Sequence, residues 1–110
     1  MNYEKNTVEN KLTILPKAAQ DLKQIFHYFE GELNYEYIFS LESKVVERFK
    51  QLVAFPNLYP KLDVKEFYEL GLRKSILERY IIIYSYLEDK REVRIVRVLH
   101  AKMQQEQIFQ

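Results

Sequence analysis

Two side chains in the last third of this 110-residue chain carry reactive chemistry on a β-strand background: Arg73 in Gly71-Leu72-Arg73, and His100 in Val98-Leu99-His100-Ala101-Lys102. An arginine inside a strand holds a planar guanidinium rigidly, and that fork suits a phosphate or an acidic protein patch. The same arginine could simply blunt a sheet edge. A histidine at a strand end could donate or accept a proton near neutral pH. Bonded to a neighbouring carbonyl, it is structural instead. Between the two lie Tyr80, Ile82, Tyr84 and Tyr86, four residues on one face of a strand. Their rings could stack on bases, anchor a bound apolar segment, or pack against residues 103–109. The chain holds nine tyrosines, which favours packing and protein binding over base stacking. Arg97 and Lys102 add cationic partner-binding candidates on and just past the last strand. Lys61, Lys65, Glu66 and Glu69 stand ahead of the Arg73 strand. His27 lies off the apolar stripe of its helix and is read as surface.

Charge sets limits on what these groups meet. The formal net charge is +1, which argues against indiscriminate binding of polyanions. The distribution is uneven: residues 71–110 hold eight Lys/Arg against five acids, and residues 1–70 hold nine against eleven. A mildly basic C-terminal portion could meet nucleic acid or an acidic protein partner, or be an ordinary solvated face. There is no cysteine, so no disulfide and no thiolate metal site, and no metal or other cofactor is expected. No apolar run approaches the ~20 residues that span a bilayer. The first residues lack the layout of a signal peptide. A cytoplasmic protein without a membrane partner is expected.

The elements that must hold these groups are legible from periodicity. Residues 1–10 read as a flexible N-terminus. Lys11-Leu12-Thr13-Ile14-Leu15 reads as a strand, ended by Pro16, which can open a helix because its missing N–H is not needed there. Ala18, Leu22, Ile25, Phe26, Phe29 and Leu33 recur at three- and four-residue steps along one stripe; Asp21 and Lys23 fall off it. Gly31 and Asn34 mark a turn. Ile38, Leu41, Val45, Phe49, Leu52 and Val53 form a second stripe, which must end before Pro56. Two amphipathic helices with so short a connection pack as an antiparallel hairpin. Residues 61–69 read as a loop with Lys61, Asp63, Lys65 and Glu66 exposed. Strands follow at about 70–77, 79–87 and 92–100, the last two joined by the polar turn Glu88-Asp89-Lys90-Arg91. The middle strand is apolar or aromatic on both faces, which marks it as interior. The helices can cover one face; the tyrosines are expected on the other.

Five pieces in this order carry a resemblance: Pro16-Lys17-Ala18-Ala19-x-Asp21-Leu22 opening a helix, Phe55-Pro56 after the second, Gly71-x-Arg73, Tyr80-x-Ile82-x-Tyr84, and Val98-Leu99-His100-x-Lys102. Together they resemble the RelE/ParE superfamily of bacterial toxins from type II toxin–antitoxin pairs. The similarity covers residues 11–103, taken as a single domain with residues 104–110 as a tail. It implies an α+β fold, a helical hairpin packed on a mainly antiparallel four-stranded sheet in the order β-α-α-β-β-β. It implies growth inhibition, a place in plasmid stabilisation, and a cognate antitoxin protein in a hetero-oligomeric complex. Two targets are consistent with it: DNA gyrase, bound as ParE-like members bind it, or mRNA on the translating ribosome, cleaved as by RelE-like members. In the second case a loop carboxylate would take the ribose 2′-OH proton, Arg73 would stabilise the phosphorane, and His100 would protonate the leaving oxygen, without a metal. The chain departs from the RelE pattern at Ile81, where an arginine is frequent, and after His100, where a tyrosine is frequent. Both departures lean to the gyrase branch. A non-toxic relic or plain protein-binding domain is the third alternative.

Overall fold

The computed structural model describes residues 9–63, 65 and 70–102. Strand β1 (Lys11–Ile14) leads into helix α1 (Pro16–Gly31), helix α2 (Tyr35–Ala54) and strands β2 (Leu72–Leu77), β3 (Tyr80–Leu87) and β4 (Glu92–His100). Pro16 occupies the first turn of α1, where its φ suits the helix. Asn34 caps α2 by accepting from the Tyr37 N–H at 3.4 Å, and Glu36 places negative charge against the positive end of the helix dipole. The helix stops at Ala54, two residues before Pro56, and the Phe55 N–H closes the last turn on the Gln51 carbonyl.

The sheet runs β1-β4-β3-β2. β3 is interior, as its two apolar faces require. β2–β3 and β3–β4 are antiparallel, and β1 joins β4 in parallel, so the sheet is mixed. The α+β expectation holds, with the helical hairpin on one face.

The expected placement of the tyrosines is corrected. Tyr80, Ile82 and Tyr84 belong to the face that meets the helices, in one core with Ala18, Leu41, Val45, Leu52 and Ile95; Tyr86 packs against it. Tyr84 is 0% exposed, and its hydroxyl donates to the Pro56 carbonyl at 2.8 Å. A hydroxyl on an otherwise apolar ring can be buried here because one carbonyl receives it. The opposite face carries a second, smaller apolar cluster: Leu62, Leu72, Ile83 and Leu99, with Ile81 and Val96 beside it.

The outer edge of β2 is not bare. Lys61 bridges to Arg73, the Leu62 N–H donates to Leu72, and the Lys74 N–H donates to Pro60. The expected loop is therefore partly pairing backbone. Lys61, Asp63 and Lys65 are exposed as expected, and Leu62 is buried; Glu66 and Glu69 lie outside the described residues, as do residues 103–109.

Candidate functional site

Arg73 and His100 project from the helix-facing side of the sheet at opposite ends of it. Arg73 stands opposite Tyr84, which stands opposite Ile95; His100 stands opposite Tyr80, which stands opposite Leu77. Four residues along a strand are roughly 13 Å and two strand spacings roughly 10 Å, so the two Cα positions are roughly 16 Å apart. The buried side chains of Ile82, Ser75 and Leu77 fill the interval. Arg73 is turned to the Tyr59 carbonyl and does not line the cleft that holds His100.

Each end has its own local chemistry. Arg73 is half-buried and its Nη1 donates to the Tyr59 carbonyl at 2.7 Å, which ties the edge strand to the turn after α2. Burial pushes the Tyr84 hydroxyl beside it above the ordinary phenol value, although the Arg73 charge opposes this. Tyr84 is thus a buried neutral donor. Tyr86 also turns inward, its hydroxyl donating to Asn10 Oδ1 at 2.9 Å, while Asn10 Nδ2 donates to the Val53 carbonyl at 2.8 Å. These two tyrosines stitch β1 and the end of α2 to the sheet.

At the other end, the Lys102 N–H donates to His100 Nδ1 at 3.1 Å, so the neutral ring carries its proton on Nε2. The ring meets Tyr80 edge-on with centroids 5.8 Å apart. His100, Tyr80, Arg79, Tyr28 and Phe29 line a cleft of about 550 Å³ between α1 and the end of the sheet. Burial raises the Tyr80 hydroxyl above its ordinary value, with Arg79 opposing. The cleft combines a histidine, Arg79, the Asp21–Arg97 pair and aromatic walls, and Arg73 is not among its lining residues. Lys102 is exposed beside it.

Arg97, expected at a binding surface, is engaged internally. Its Nε and Nη2 donate to the two carboxylate oxygens of Asp21 at 2.7 and 2.9 Å, and the Val98 N–H donates to Asp21 at 3.0 Å. Both side chains are nearly buried, 12% and 11% exposed. The hydrogen bonds to Asp21 raise the Arg97 pKa still further above the arginine value, so its charge is permanent. The physical cause lies in the sheet. β1 pairs only as far as Ile95, and β3–β4 pairing slips between Ile83 and Tyr84, so Val96 is an extra residue. Beyond that slip α1 lies against β4, and Asp21 satisfies a backbone N–H that β1 no longer reaches. Asp21 lies off the apolar stripe, and its place in the Pro16-to-Leu22 signature is the available signal in the sequence.

A second guanidinium escaped notice. Arg48 of α2 donates to Ser75 Oγ at 2.6 Å and to the Ile76 carbonyl at 2.7 Å, and lies 5.3 Å from the centre of the Tyr59 ring. No local pattern announces such a residue. The β2–β3 turn is pinned in the same way: Glu78, at φ +54°, accepts from Lys44 and from the Tyr37 hydroxyl, and the Lys44 bond holds its carboxyl below the usual range. Between β1 and α2 runs a groove of about 590 Å³ lined by Leu12, Val46, Phe49 and Val53. Among the described residues no cluster of His, Cys, Asp and Glu is placed to hold a metal ion, and no described helix is long and apolar enough to cross a membrane.

With the geometry in place, comparison with known proteins is specific. The model of the family described as the ParE toxin of the type II toxin–antitoxin system parDE matches residues 12–105. Among solved structures, a chain of the chromosomal ParDE toxin–antitoxin system from P. aeruginosa superposes with a TM-score of 0.67 at 21% identity, covering 86% of this chain and 98% of that one. A chain of the RelBE2 toxin–antitoxin complex from Mycobacterium tuberculosis superposes with a TM-score of 0.57 at 22% identity, covering 84% and 99%. At such identities the likeness is one of fold. No curated protein gives a significant sequence match.

Proposed function

This chain belongs to the ParE toxin family, the toxin half of type II toxin–antitoxin modules, and we propose that it halts bacterial growth from the cytoplasm as a binding poison of DNA gyrase, neutralised by a cognate antitoxin. Plasmid stabilisation is the corresponding role for the pair. The observation that carries the binding mode is the separation of Arg73 from His100 by most of the sheet. Cleavage by general acid–base catalysis needs a base, an acid and an anion-stabilising cation within hydrogen-bond reach of one reacting phosphate. Here the cations nearest the sheet face serve the fold: Arg73 holds Tyr59, Arg97 holds Asp21 and Arg48 holds Ser75.

A RelE-like mRNA endonuclease is the second reading, favoured by the cleft in which His100, Arg79 and Tyr80 converge. Its reaction would have to use Arg79 in place of Arg73 as the cation.

Induction of the chain alone in bacteria tests the toxin reading, with purified gyrase testing the branch. The expected result is growth arrest, inhibited supercoiling, DNA breaks and an SOS response, with mRNA ends unchanged. Rapid codon-phased mRNA cuts with intact DNA would transfer the assignment to the endonuclease. Normal growth with abundant folded protein would overturn toxicity altogether.

A further inference from the structure

The far end of the helical hairpin departs from the local rules that the rest of the chain obeys. Leu33, in the connection between α1 and α2, has φ +55°. That left-handed backbone suits glycine or asparagine, and a leucine adopts it at a cost. The residue does not recover the cost by packing, since it is 72% exposed. Around it Tyr28, Tyr35 and Phe39 are 61%, 53% and 71% exposed. Leu33, Tyr35 and Phe39 lie within seven residues of one another, in the connection and the first two turns of α2, and Tyr28 stands on the last turn of α1, where it also lines the mouth of the His100 cleft. A cluster of large exposed apolar side chains marks an interaction site.

Charge identifies the counterpart. Between Lys23 and Lys44 the chain has four glutamates, Glu30, Glu32, Glu36 and Glu42, and neither lysine nor arginine. All four are exposed, and among the described residues no ion pair reaches them. An acidic rim repels nucleic acid and a second copy of the same tip. It favours a protein surface bearing lysine and arginine, through electrostatic complementarity that speeds encounter and rejects wrong partners. Shape narrows the choice further. The connection between two packed helices is a short fixed tip, which fits a depression on a folded protein. A flexible segment needs a trough to lie in, and the trough is elsewhere, between β1 and α2.

The geometry points to the hairpin tip as the docking knob for a folded protein partner with an apolar depression rimmed by lysine and arginine, and that partner is the toxin's target rather than its antitoxin. This rests on the toxin reading above. Leu33 and Phe39 are the anchors, and the glutamates steer.

Three variants test it in bacteria induced over a range of doses: Phe39→Ser, the double change Glu32→Lys/Glu36→Lys, and Leu33→Gly. Protein level at the onset of arrest is measured by immunoblot, and melting temperature on purified samples. Loss of a buried interface anchor weakens binding about tenfold or more, so Phe39→Ser should need about ten times more protein to stop growth, and the charge-reversed rim should also need more because like charges then face the partner. Leu33→Gly should melt no lower than the parent, because the strain is relieved, and still be less toxic. Stability and toxicity moving in opposite directions is what a purely structural leucine cannot produce. Equal toxicity of all three variants at equal folded level would overturn the docking proposal and leave the toxin reading standing. A parent chain that does not arrest growth would overturn the toxin reading, and the proposal with it.

Discussion

Removing the Asp21 carboxylate should be among the costliest single substitutions outside the apolar core. The group receives three hydrogen bonds, two from Arg97 and one from the Val98 N–H, with both charged side chains nearly buried. In Asp21→Ala the guanidinium is left without its counter-charge and the N–H without an acceptor. Breaking one side of a buried ion pair costs about 3–5 kcal/mol, and the residual exposure of this pair places it at about 3 kcal/mol. Unfolding entropy near 2.1 cal/mol/K per residue gives a chain of this length about 0.23 kcal/mol/K, so the melting temperature should fall by about 13 °C. Urea titration alongside thermal unfolding measures this. Arg97→Met should cost about 2 kcal/mol, less than Asp21→Ala, because the carboxylate keeps the Val98 N–H. The double variant should fall short of the sum by about 2 kcal/mol, the coupling expected of a direct pair. Growth arrest by Arg97→Met should decline only with the folded fraction. A loss below about 1 kcal/mol in Asp21→Ala would refute the account of the pair as a cap on the sheet margin. Arg97→Met with parental stability and no toxicity would restore Arg97 to the binding surface.

Other changes read the two ends of the sheet separately. Arg73→Ala, which leaves the Tyr59 carbonyl without its charged donor, should lose about 1.5–3 kcal/mol by denaturant unfolding, and its toxicity should fall. His100→Ala should cost about 1 kcal/mol through the lost Tyr80 and Lys102 contacts, with toxicity falling in proportion; parental stability with abolished toxicity would revive the endonuclease. The acid limb of the stability curve should follow Glu78 and Glu92. Bonds from Lys44 to the first and from Arg94 and then Thr13 to the second lower their folded pKa below the ordinary 4.5. Their contribution is therefore complete above that value and lost as pH falls through the lowered folded values. Glu92→Gln should flatten the unfolding free energy below pH 4.5, and an unchanged slope would contradict this.

The elements were legible because their periodicities are clean. Pro16 and Pro56 bracket the helical hairpin, and the alternation of β3 marked it as interior. What could not be read was direction. With Ile81 and Ile83 on one face of β3 and Tyr80, Ile82 and Tyr84 on the other, both faces are hydrophobic, and composition does not say which one the helices cover. Register was equally hidden. Arg73 and His100 occur in motifs on either side of Tyr80-x-Ile82-x-Tyr84, and their separation depends on which residues of β2, β3 and β4 stand opposite one another. Long-range polar pairs such as Asp21–Arg97, 76 residues apart, leave no trace in a local window.

The parallel pairing of β1 with β4 has a consequence for biosynthesis. Lys11 to Ile14 find their partners only in Glu92 to Ile95, and β4 is also the strand against which β3 and α1 pack. Contacts of such sequence separation close late and slow the search for the native state. During translation the helical hairpin can form early, but the sheet has no closing strand until β4 emerges. A chain released before Glu92 lacks the strand that joins β1 to the rest and cannot close the sheet. Closure of the sheet therefore waits on β4, and any partner that recognises the finished sheet meets only molecules in which β4 has joined β1 to β3.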